Sequence, residues 1–163
     1  MTHIVRGVIA DSQLLRSFAQ VHSFNGPISL AGDLALLPLR DEDIQSFSVA
    51  PREPVHDFEC LTAEFVEVLC ALSRAGSVLY FETEYFGGAG SQGAAVFRDG
   101  SIAFGPESAD IGPINKALAF LGVCVAPPAR DQFETVGLHR HRTVEAWLKY
   151  GSLAAHQMEL ARG

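Results

Sequence analysis

The chain has 163 residues, 48% of them hydrophobic and 19% charged, which fits one folded domain and excludes a disordered chain or two large domains. Lys and Arg number 12 against 19 Asp and Glu, a formal charge of −7, so the surface repels nucleic acid and suits a basic protein partner. No apolar run approaches the roughly 20 residues of a membrane span, so no membrane association is expected.

The opening MTHIVRGVIADSQ lacks the basic and apolar regions of a secretory signal, which favours a cytoplasmic location. His3 to Ala10 is rich in β-branched residues and predicts a strand. Asp11 or Ser12 then caps a helix carrying Leu14, Leu15, Phe18 and Ala19 at helical spacing. Leu34 to Pro38 predicts a second short strand, followed by a polar stretch in which Asp41-Glu-Asp43 opens a helical turn. Phe58, Leu61, Phe65, Val68, Leu69 and Leu72 form one apolar stripe, with Glu59, Glu64 and Glu67 off it. That pattern predicts a helix over 57–75, with Asp57 as N-cap and Gly76 just past its end.

Residues 78–104 read as a β-meander. Its sharpest feature is Asp99-Gly100, the dipeptide favoured by a two-residue type I′ hairpin turn. Downstream, Pro113 starts a helix that Gly122 ends, Asp131 to Gly137 is a short capped helix, and Thr143 to Tyr150 is another, anchored by Trp147 and stopped at Gly151. Cys60, Cys70 and Cys124 are odd in number and widely spaced, and read as buried small apolar residues rather than a disulfide or metal framework.

Gly88-Ala-Gly90-Ser-Gln-Gly93 fits G-x-G-x-x-G, but a pyrophosphate site needs a helix after the glycines. Here Ala94 to Phe97 runs straight into the Asp99-Gly100 turn, so the stretch reads as a glycine-rich turn between antiparallel strands, and no nucleotide or other cofactor is expected. His139 and His141 lack a third ligand at meaningful spacing, so no metal is expected either.

Strand alternation puts Leu79, Phe81, Phe97, Ile102 and Phe104 on a core face. Tyr80, Glu82, Glu84, Phe86 and Arg98 then share an outward face. With Gln92 from the glycine loop they make the expected partner-binding surface, aromatic anchors within an acidic surround. Glu82 and Glu84, about 7 Å apart along the strand, also raise the alternative of a small hydrolase, though no substrate-binding cluster accompanies them and no catalytic residue is assigned.

Three segments together carry a resemblance: ETEYFGGAGSQGAAVF (82–97), GPINKALAFLGV (112–123) and GLHRHR (137–142) with Glu145 and Trp147. They resemble a group of small bacterial proteins similar to the immunity proteins that accompany polymorphic or contact-delivered toxins. The resemblance covers residues 78–150 and brings no residue roles with it. It implies a non-catalytic binding protein that occludes a cognate toxin, with a phage- or operon-encoded ligand-binding accessory protein as a further alternative; a homo-oligomer is compatible with either. The expected architecture is one α+β domain over 1–163, with an antiparallel sheet of four to six strands and three or four helices packed on one face.

Overall fold

The computed structural model describes residues 2–48, 54–55 and 58–162. Strand β1, His3–Asp11, runs directly into helix α1, Ser12–Val21. The Asp11 carboxylate makes that junction, accepting from the backbone N–H groups of Gln13 (2.9 Å) and Leu14 (3.4 Å) and so capping donors the helix leaves open. Strands β2, Ile28–Ser29, and β3, Leu34–Pro38, follow, then a single-turn helix α2, Asp41–Gln45. Helix α3 covers Ala63–Leu72, shorter than the 57–75 stripe suggested, because Thr62 is its N-cap and accepts from Phe65 N at 3.2 Å. The expected cap Asp57 lies outside the described residues.

Strands β4 (Val78–Phe86), β5 (Ala89–Arg98) and β6 (Ser101–Ala109) form the expected meander, and α4, Pro113–Phe120, begins at the expected proline. Helix α5, Gln132–Val136, is capped by Asp131 as read from sequence, a 3-10 turn covers Leu138–Arg140, and α6 covers Val144–Arg162. Gly151 does not stop α6. It sits against the Ile28 side chain, where an added Cβ would stand 3.0 Å away, so this glycine serves close packing rather than termination.

The six strands form one antiparallel sheet in the order β2-β3-β1-β4-β5-β6, so the α+β class and the single antiparallel sheet are as expected. The helices, expected on one face, divide between both. Val8, Ala35, Leu37, Tyr80 and Phe97 pack against α1 and α3. Val5, Ile9, Leu79, Phe81 and Val96 pack against α4, α5 and α6, with Trp147 fully buried among them. The physical sign of this was the unbroken apolar run Val78 to Phe81, since a strand covered on both faces has no reason to alternate. Each large side chain buried in these layers contributes roughly 1.5–3 kcal/mol.

The meander's register corrects the expected faces. Gly87 and Gly88 (φ +59° and +85°) make a second two-residue turn, which pairs Phe86 with Ala89 and therefore Val78 with Phe97. Phe97 thus shares the face of Tyr80, and Arg98 lies on the opposite one. Beyond the Asp99-Gly100 turn, Phe97 pairs with Ile102 as expected, but a bulge at Ala103 sets Phe104 against Val96 and turns it to the α4 face. Ile102, expected in the core, is exposed because β6 is the last strand of the sheet. Of the cysteines, Cys60 is buried, Cys70 half-buried and Cys124 exposed, so the expectation of three buried thiols holds for Cys60 alone. Among the described residues, no helix is long and apolar enough to cross a membrane.

Candidate functional site

On the α1/α3 face, β4 passes from core to solvent: Val78 and Tyr80 are buried, Glu82 is nearly so, and Glu84 and Phe86 are exposed. Glu82 is held there by polar contacts. Its Oε1 accepts from Glu59 N at 2.9 Å, and its Oε2 accepts from Cys60 N at 2.7 Å and from the Tyr80 hydroxyl at 3.2 Å. Burial pushes the Glu82 carboxyl above the ordinary carboxylate value, while the two backbone N–H groups, Tyr80 and the Arg6 charge pull it back. Burial raises the Tyr80 phenol well above its usual value, and the adjacent Glu82 charge adds to the effect.

Gly93 stands opposite Glu82 and explains how the 58–60 segment reaches the sheet. A Cβ at Gly93 would lie 2.7 Å from a ring carbon of Phe58, so only glycine lets that ring settle on the strand. The result is a narrow cleft of about 50 Å³ whose lining includes Phe58, Glu59, Arg6, Glu82, Glu84 and Ser91. Among the described residues, three carboxylates and one guanidinium line it, and that guanidinium already pairs with Asp41 at 2.8 Å. The cleft is therefore acidic, with Phe86 exposed on the same strand face.

This arrangement redistributes the expected partner-binding residues. Tyr80 and Glu82 are interior groups and offer no exposed contact, because the 58–60 segment and α3 cover the strand where an open face was expected. Glu84 and Phe86 remain on the surface. Arg98 lies on the other face and toward the other end of the sheet, where it donates to Ser77 Oγ at 2.9 Å and to the Phe120 carbonyl at 3.3 Å and lies over the Phe120 ring. Gln92 also faces away. Its Oε1 accepts from Ile114 N at 2.8 Å at the start of α4, and its Nε2 donates to the Tyr85 hydroxyl at 2.9 Å, so it locks helix to sheet. Glu59, which sequence reasoning placed on the outer side of a helix, is the cleft residue it missed; no periodic signal distinguishes it from Glu64 and Glu67. The Glu82 and Glu84 pair, raised as an acid/base alternative, consists of one buried carboxylate held by Glu59 N, Cys60 N and Tyr80 and one exposed carboxylate.

The glycine stretch is strand, turn and strand. Gly88 supplies positive φ in the turn, and Gly90 allows a close approach, since a Cβ there would fall 1.9 Å from the Glu84 carbonyl oxygen. Across the sheet, between β4, β5, α4 and α5, lies a larger cavity of about 420 Å³. One wall holds His3, whose Nδ1 is 2.7 Å from Thr83 Oγ1 and whose ring meets Phe133 edge-on. Burial lowers the His3 pKa, the Leu138 carbonyl opposes this, and the Arg142 charge adds to the lowering. His141 packs its ring against Trp147 and Tyr150, and among the described residues no three His, Cys, Asp or Glu side chains gather as a metal would require.

No family model, curated protein or solved structure matches this chain.

Proposed function

We propose that the protein is a non-catalytic binding protein of the immunity type, which occludes a basic toxin by docking it on the acidic end of the α1/α3 face. The observation that carries this reading is the cleft itself. Glu59 and Glu84 stand exposed at its mouth, buried Glu82 lines its interior, and Arg6, the one cation among the described lining residues, is already paired. A Lys or Arg side chain from a partner fits that charge, and exposed Phe86 supplies an apolar anchor beside it. The overall charge of −7 adds long-range attraction for the same class of partner.

The test requires that a neighbouring gene encode a basic protein, and compares its association with the wild type and with a Glu59→Lys/Glu84→Lys variant. Both positions are exposed, so stability should move by no more than about 0.5 kcal/mol for each. Association at low salt should slow by about tenfold or more, with protection of cells lost in parallel. Unchanged association and protection in the folded variant would place the docking surface elsewhere.

A further inference from the structure

We propose that the 420 Å³ cavity on the α4/α5 face is a binding site for a small organic ammonium ion with a flat apolar body. It lies across the sheet from the acidic cleft and does not depend on the partner reading. Its volume falls within the range of small-molecule pockets, roughly 300–1,000 Å³, and its lining joins an apolar wall to a few convergent polar groups. Phe133, Ile111 and Ile114 are the apolar part, and Tyr85 and His3 also line it.

The chemistry of the ligand follows from which hydrogen-bonding positions are still open. Asp131 Oδ1 accepts from Glu134 N at 2.8 Å and Oδ2 from Asn115 Nδ2 at 3.3 Å, which leaves lone pairs on both oxygens. The Tyr85 hydroxyl donates to the Asp110 carbonyl and accepts from Gln92, so its remaining capacity is as an acceptor. Asn115 Oδ1 accepts from Phe133 N at 2.9 Å and has a second lone pair. On the donor side, Asn115 and Gln92 each have one N–H beyond the bond already made. Among these groups the open acceptors outnumber the open donors, and the carboxylate fixes the sign of charge. Arg142, whose charge acts on His3, is not among the lining residues.

The polar groups are also held before any ligand arrives. Asn115 joins α4 to α5, Gln92 joins α4 to β5, and Tyr85 joins β4 to the 110–111 segment, so the site sits on fixed elements. Ile111 is 77% exposed at its mouth, which marks the way in.

The experiment titrates the whole protein with phenethylammonium, 2-phenylethanol and phenylacetate, three probes of nearly one shape and different charge, by calorimetry. The ammonium should bind in the millimolar range or tighter and exceed the alcohol by about tenfold, and phenylacetate should bind least. Asp131→Asn keeps an oxygen to cap α5 and should weaken the ammonium by about tenfold, toward the alcohol's affinity. Ile111→Lys changes only an exposed side chain at the mouth and should weaken the ammonium selectively, which keeps the test decisive if Asp131→Asn fails to fold. Equal binding of ammonium and alcohol, no ammonium binding at about 10 mM, or full affinity in Ile111→Lys would overturn the proposal.

Discussion

Glu82 shows how a charged residue becomes part of an interior. Its carboxylate accepts from two backbone N–H groups and a phenol, so Glu82→Leu should remove three buried hydrogen bonds at once. The expected cost is on the order of 1–3 kcal/mol, read as a lower melting temperature; an unchanged melt would show that the 58–60 segment is not held by this residue. The pH dependence has a definite sign. The folded pKa of Glu82 is raised above 4.5, so the native state binds this proton more tightly and stability falls as pH rises from 4.5 through the folded value. Glu82→Gln cannot ionise and should lose that slope. His3 acts in the opposite sense. Its folded pKa is lowered below 6.5, so stability is full above 6.5 and is lost as pH falls through the folded value. Melting curves from pH 5 to 8 should therefore show an acid-side decline that is smaller in His3→Asn, and an identical profile for that variant would remove His3 from the account.

Among the elements, the two hairpin turns carry the register. Asp99 and Gly100 have φ of +54° and +84°, so the type I′ turn was legible from the dipeptide alone. Gly100→Val should cost about 1–3 kcal/mol by forcing a β-branched residue into positive φ, and wild-type melting would disprove the turn's role. The helix starts at Asp11, Pro113 and Asp131 were equally legible, because the two aspartates cap their own helices and proline suits a first helical turn. What escaped was one local turn and whatever depended on distant neighbours. Gly87-Gly88 is also a two-residue turn, and without it Phe97 was assigned to the wrong face. Gly151 resembles a helix stop until Ile28 is seen beside it. The acidic cleft was half legible. Glu84 and Phe86 follow from alternation along β4, whereas Glu59 reaches the cleft only because Gly93 makes room for Phe58.

At the scale of the whole molecule, a sheet covered on both faces has room for two separate openings at the β4–β5 hairpin. The acidic cleft and the cavity lie on its opposite sides. Variants of Glu59 and Glu84 should leave phenethylammonium titrations unchanged, and Ile111→Lys should leave partner association at low salt within about twofold. Coupled losses would mean that the hairpin carries both sites as one.

The last strand has a further effect on how copies of this chain meet. As the end of the sheet, β6 turns one side of its backbone away from β5, and an uninterrupted edge of that kind is a template for strands of other molecules. Here the bulge at Ala103, the positive φ of Gly105 and the missing N–H of Pro106 break the row of donors within four residues. An incoming strand meets no regular ladder to extend, so the fold carries its own defence against edge-to-edge aggregation.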